Sequence, residues 1–97
     1  MRYVFHPEAQ SELQSAVDYY EECREGLGDE FALEVNSAIQ RILAFPQAWT
    51  RLSGQIRRCI VNRFPYGVIY QNFNGEILIL ALMPLRRKPG YWKKRLR

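Results

Sequence analysis

"YGVIYQNFNGEILILALM", Tyr66 to Met83, decides the fold. Two apolar runs, Tyr66–Phe73 and Glu76–Met83, flank Asn74-Gly75, the strongest short signal for a β-hairpin. From Ile77 to Met83 every residue is apolar, the pattern of a strand buried on both faces. Upstream, "QIRRCIVNRF" (Gln55–Phe64) reads as a third β-like run. Pro65 interrupts the path from that run to Tyr66 and predicts a bulge or tight connection there.

The first half has a different period. "MRYVFH" (Met1–His6) alternates and is rich in aromatic and β-branched residues, so it predicts a short strand. Pro7 and Glu8 then open a helix, since proline suits the first helical position and an acidic residue suits the positive end of the dipole. Ala9, Leu13, Ala16, Val17 and Tyr20 recur at spacings of three and four and make one apolar stripe. The glycines of "EGLGDE" (Glu25–Glu30) break the helix. A second helix is expected from near Asp29, with Phe31, Val35, Ala38, Ile42 and Phe45 on one side, ending at Pro46. The expectation is one domain over residues 1–97, α+β, in the order β-α-α-β-β-β, with a helical hairpin packed on an antiparallel sheet.

Composition narrows the functional classes. A chain of 97 residues with 47% apolar residues folds around one modest core. No run approaches the roughly 20 apolar residues of a membrane span, so no membrane association is expected. Cys23 and Cys59 fit no CxxC pattern and read as reduced thiols of a cytoplasmic protein. The net charge of +4 is unevenly spread: residues 86–97 hold seven basic and no acidic side chains, against seven basic and ten acidic before them. An acidic body with a basic end suggests a localised polyanion-binding surface or a docking site for an acidic partner.

The candidate chemistry is cationic. His6 is the only histidine, and with no HxxxH pair or thiol cluster it implies no metal and no histidine-based triad. Its place between strand and helix suits a capping or packing role. The carboxylates of the helical hairpin read as solvated faces. Alternation puts Arg57 and Arg63 on one side of their strand and Arg58 on the other, either as edge protection or as phosphate or partner contacts. "RRKPGYWKKRLR" (Arg86–Arg97) interleaves cations with Tyr91 and Trp92. Guanidinium groups grip phosphate, aromatics stack on bases, and a tyrosine can move protons. The same run also fits a solubilising tail with Trp92 packed on the core.

Taken in order, "FHPEAQSELQSAVDYYEE", "GLGDEFALEVNSAIQRI" with "FPQAW", "RRCIVNRFPYGVIY" and "ILALMPLRRKPGYW" resemble the RelE/ParE toxin superfamily along nearly the whole chain. The GLG joint and Phe64-Pro65-Tyr66 are closer to the ParE side. The resemblance implies the toxin of a type II toxin–antitoxin pair, without cofactor, held silent by a cognate antitoxin. RelE-type members cut messenger RNA in the ribosomal A site, and ParE-type members inhibit DNA gyrase. RelE-type ribonucleases carry a central-strand arginine where this chain has Gly67, and many relatives carry a histidine near the position of Pro84. The cleavage set is incomplete, and ribonuclease activity is expected to be weak or absent.

The resulting expectation is a gyrase-directed toxin using Arg86, Arg87, Tyr91 and Trp92 as its contact surface. Deletion of residues 86–97 is expected to leave the domain folded. The alternatives are a RelE-like messenger RNA endoribonuclease using Arg58, Arg87 and Tyr91, with ribosome and messenger RNA as partners, and an inactive relative that only binds antitoxin. The antitoxin is expected in the apolar groove between helices and sheet, its acidic residues meeting Arg57, Arg58 or the tail.

Overall fold

The computed structural model describes residues 1–96, so Arg97, the last cation of the basic tail, lies outside the described residues. Strand β1 (Arg2–Phe5) leads into helices α1 (Pro7–Cys23) and α2 (Leu27–Ala44). Strands β2 (Thr50–Ser53), β3 (Ile56–Ile60), β4 (Tyr66–Phe73) and β5 (Glu76–Pro84) follow, then a short 3-10 helix (Tyr91–Arg95). The sheet order is β1-β5-β4-β3-β2. The α+β class and the helical hairpin on a sheet stand as expected, with two differences. β1 runs parallel to β5, so the sheet is mixed. And β2 adds a strand, antiparallel to β3, at the far edge.

Both differences have physical reasons. β2 is "TRLS", whose single apolar residue, Leu52, leaves no alternation to read. Short, polar edge strands of this kind discourage sheet-to-sheet association. The direction of β1 is set by how the helical hairpin returns the chain to the sheet, which no local pattern encodes.

Local chemistry fixes the helices. His6 caps α1: its Nδ1 accepts from Glu8 N at 3.1 Å, while its own N–H donates to Ile79 O at 2.9 Å. That one residue ends β1 and starts α1, in the capping role expected of it. At the hairpin joint, the Glu21 carboxylate accepts from Gly26 N at 2.9 Å and Gly28 N at 3.0 Å. α2 begins at Leu27, two residues before the expected start, so Gly28 lies inside it and is buried. A Cβ on Gly28 would sit 2.6 Å from Val17 O, and this close approach of the two helices admits only glycine.

Apolar residues cover both faces of the sheet. On one face α1 and α2 bury Ala9, Phe31, Val35 and Ile42 against Val68, Tyr70, Ile77, Ile79 and Leu82. Tyr20, Phe31, Phe64 and Tyr66 form an aromatic knot, with ring centroids 4.9–6.2 Å apart, that joins both helices to the β3–β4 corner. The Tyr70 hydroxyl donates to Pro46 O at 2.6 Å and pins the segment after α2. On the other face Ile56, Ile69, Leu78, Leu80, Ala81 and Met83 form a second cluster with Trp92 of the 3-10 helix. β5 is therefore buried on both faces, as its uninterrupted apolar run implies. Its pairing with β4 skips Leu80, since Ile69 faces Ala81 and Tyr70 faces Ile79. This bulge places Leu80 and Ala81 on the same face.

The tail is thus part of the fold, contrary to the expectation that residues 86–97 can be removed from an intact domain. Trp92 is 3% exposed and covers the second cluster. Trp92→Ala is expected to cost about 3–5 kcal/mol, measured by urea unfolding. Lys93→Ala and Lys94→Ala, at exposed positions, are expected to stay within about 0.5 kcal/mol of the parent.

Candidate functional site

Past Pro84 the chain turns sharply, with Leu85 N donating to Pro65 O and Arg87 N to Pro84 O. Arg86, Arg87 and Lys88 are exposed on this turn, and Lys93 and Lys94 are exposed on the 3-10 helix. Arg95 points the other way. Its side chain is 8% exposed. Nη1 donates to Glu12 Oε1 at 3.0 Å and to Leu80 O at 2.8 Å, and Nη2 donates to Glu12 Oε2 at 3.1 Å.

The reason lies in the sheet. β1 pairs with β5 only as far as Ile79, so the outer edge of β5 is bare beyond it. Buried backbone groups without partners cost free energy. Glu12 accepts from Leu82 N at 3.1 Å and Arg95 donates to Leu80 O, so an ion pair replaces the missing strand. Burial works against the Arg95 charge, but the hydrogen bonds and charge of Glu12 outweigh it and raise the pKa. Glu12, like Glu21 at the hairpin joint and Glu30 beside Arg63, departs from the expectation that the helical carboxylates are merely solvated. It was legible: positions 9, 12, 13 and 16 follow the three-and-four spacing of the buried stripe, so Glu12 lies on the core-facing side of α1.

Tyr91 lies between two cations. The Arg87 guanidinium sits 3.6 Å from its ring centroid and that of Arg95 5.1 Å. Its hydroxyl is buried without a hydrogen-bond partner. Burial first, and the neighbouring Glu12 carboxylate second, push its pKa up to about 12. Trp92, expected as a target contact, is buried, and of the two readings of that residue the packed one holds.

The β3 arginines separate. Arg57 pairs with Tyr70 on the helix-facing side and donates to Trp49 O at 2.8 Å. Arg58 lies on the opposite face with Ile69. Arg63 is not in the strand. It occupies the β3–β4 connection at φ 70° and bonds Glu30 at 2.6 Å. Gly67, where the central-strand arginine was missed, is filled from next door: the Arg58 Cγ and Cδ lie 2.9 Å from where its Cβ would be. Arg58 thus brings a cation onto the face opposite α1 and α2, with its Nε buried and unpartnered. Of the expected site residues, Arg87 and Tyr91 come together, and Arg57 and Arg58 lie on opposite faces. Both cysteines are free thiols, Cys23 exposed and Cys59 buried. Among the described residues no three His, Cys, Asp or Glu side chains come together as a metal site, and no helix is long and apolar enough to cross a membrane.

Residues 3–89 match the family model described as the ParE toxin of type II toxin–antitoxin system, parDE. The chain belongs to the ParE toxin family. A solved structure described as the chromosomal ParDE TA system from P. aeruginosa is similar in fold, with a TM-score of 0.62. It is 19% identical over 89% of this chain and 97% of that chain. No curated protein matches the sequence. The ParE match includes Arg86 and Arg87 and ends before Tyr91, Trp92 and Arg95.

Tyr70 and Tyr91 generate a pH prediction. Both are raised from 10.0 to about 12, chiefly by burial, so the folded state favours the protonated phenol. That stability is fully present below the unfolded pKa near 10 and is lost as pH rises through about 12. Unfolding free energy measured from pH 9 to 12 is expected to fall across this window, with at least two phenols still protonated at pH 11 by ultraviolet titration. Tyr91→Phe, which removes an unpartnered hydroxyl, is expected to change stability by less than about 1 kcal/mol. Glu12→Ala, which strands a buried Arg95, is expected to cost about 3 kcal/mol in the same assay.

Proposed function

We propose that this ParE-family toxin arrests growth by binding a protein target, DNA gyrase, through Arg86, Arg87 and the edge of Tyr91, and that a co-expressed antitoxin silences it. The observation that carries the reading is that Arg86 and Arg87 stand exposed on the exit turn without an acidic partner, which leaves their guanidinium groups available as a contact surface. That surface rests on a rigid base, since Trp92 and the Arg95–Glu12 pair hold the turn against the sheet. Trp92 anchors the surface from beneath. Gyrase as the target rests on family membership, and the cationic surface suits approach to gyrase or to DNA bound on it.

One observation favours a second reading. Arg58, lying over Gly67, supplies a cation on the face where a RelE-like ribonuclease would need one. In that reading Arg58, Arg87 and Tyr91 would act on messenger RNA at the ribosome, with Tyr91 as the proton carrier.

Pulse incorporation of labelled thymidine and labelled amino acid, minutes after induction without antitoxin, separates the two. DNA synthesis is expected to fall first. Combined Arg86→Ala and Arg87→Ala is expected to relieve growth arrest at least roughly tenfold in survival, whereas Tyr91→Phe retains it. Protein synthesis failing first, with rescue by Tyr91→Phe, would replace gyrase binding with RNA cleavage.

A further inference from the structure

Arg51 and Arg57 stand directly opposite each other in the antiparallel β2–β3 pair. Like charges in that relation destabilise a strand pair. Edge protection accounts for a cation on β2, which ends the sheet, but not for Arg57 on β3, which has a strand on either side. Both guanidinium groups are also held in place. Arg51 Nε donates to Gly54 O at 2.7 Å, and Arg57 Nη1 donates to Trp49 O at 2.8 Å. Among the described residues neither has an acidic partner. A guanidinium fixed through one N–H keeps the rest of its fork for a ligand.

The two arginines share a cleft of about 400 Å³ with Gln47, Asn72, Phe73 and Asn74, among others. It lies at the far end of β4 from the exit turn, since Tyr66 pairs with Pro84 at one end of that strand and Phe73 with Glu76 at the other. Asn72 N donates to Gln55 O at 3.3 Å and ties the β4 wall to the β2–β3 turn. No carboxylate lines the cleft, and Glu76, just past the hairpin wall, is held by Arg2 at 2.8 Å. Two fixed cations therefore face one space with nothing there to neutralise them. Such an arrangement suits an anion.

The geometry selects which anion. A carboxylate presents two coplanar oxygens and is satisfied by one guanidinium fork, whereas the tetrahedral oxygens of a phosphate accept from two forks at once. Beside the arginines the lining changes character. Phe73 is 37% exposed and offers its ring to a flat ligand. The amides of Gln47, Asn72 and Asn74 make no side-chain hydrogen bond to another described residue, and amides both donate and accept, as the edge of a nucleobase requires. We propose that this cleft binds a nucleoside phosphate, its phosphate bridging Arg51 and Arg57 and its base against Phe73 within reach of the amides. Of the two roles the sequence left open for Arg57, a phosphate or a partner contact, the cleft favours the phosphate. Occupancy turns a repulsive cross-strand pair into a bridged one and fastens β2 to the sheet. The proposal is independent of the toxin's target and of its antitoxin.

The test is titration calorimetry of the full-length toxin with each of the common nucleoside monophosphates in turn, at fixed salt. Saturable binding of at least one is expected. Arg51→Gln, Phe73→Ala and omission of the phosphate from the ligand are each expected to weaken it roughly tenfold or more. Lys93→Gln and Lys94→Gln remove the same charge outside the cleft and are expected to stay within about twofold. In thermal unfolding the nucleotide is expected to raise the Tm of the parent and to leave that of Arg51→Gln unchanged. No binding by the parent, or equal losses in the arginine and lysine variants, would overturn the site. Inorganic phosphate bound as tightly as the nucleotides, with no effect of Phe73→Ala, would strike out the nucleoside. A phosphoserine peptide bound more tightly than any nucleotide, with the same dependence on Arg51, would replace it by a phosphorylated protein. A single-stranded RNA of about 12 nucleotides separates the two sources of the same ligand. Tighter binding of the strand, with the same dependence on Arg51 and Phe73, would support the proposal with a nucleotide of a chain as occupant, and tighter binding of the monophosphate would support it with a free nucleotide.

Discussion

β5 must be enclosed on every side, and the rest of the chain is arranged to do it. Helices cover one face and Trp92 covers the other. β4 pairs along one edge, and β1 pairs along the other only as far as Ile79. The remaining stretch of edge is closed by Glu12 and Arg95, two side chains that are 83 residues apart in sequence. A buried ion pair is a weak source of net stability, because desolvation offsets much of the attraction. Here its value is positional: it satisfies backbone groups that no strand reaches, and it fixes the course of the C-terminal segment.

This changes the meaning of the basic tail. By composition its cations look equivalent, yet in the fold they divide by role. Arg95 is structural, Arg87 stacks on Tyr91, and Arg86 stands beside two phenols. Lys88, Lys93 and Lys94 remain in solvent. A contact surface built on such a turn is pre-ordered, so binding loses less conformational entropy than it would for a flexible arm.

The parts legible in the sequence were those set by periodicity and turn chemistry. The hairpin at Asn74-Gly75, the buried run of β5, both helices and the His6 cap all follow from short-range rules, and all are present. β2 escaped because a four-residue polar edge carries no pattern. The parallel pairing of β1 escaped because strand direction depends on a long return path. Among site residues, the closeness of Arg87 and Tyr91 is a local matter of four positions. The substitution of Arg58 for a side chain at Gly67 is not: it depends on which residues lie abreast in neighbouring strands. Glu12 stood in plain view as a charge inside an apolar stripe, the mark of a buried acid that has found a partner.

The bulge at Leu80 sets the phase of everything after it. Were Leu80 kept in a regular strand without the bulge, strict alternation from Ile79 would turn Ala81 and Met83 toward the helices and Leu82 toward Trp92. With it, Leu82 faces α1 and forms a wall of a cleft beside Ala16 and Tyr19, while Met83 joins the layer under the indole. A single unpaired position in the middle of a strand thus acts as a clutch between two halves of the protein. Upstream it leaves the hydrophobic packing of the sheet unchanged, and downstream it decides which way the exit turn, with both its arginines, is facing when the strand lets go.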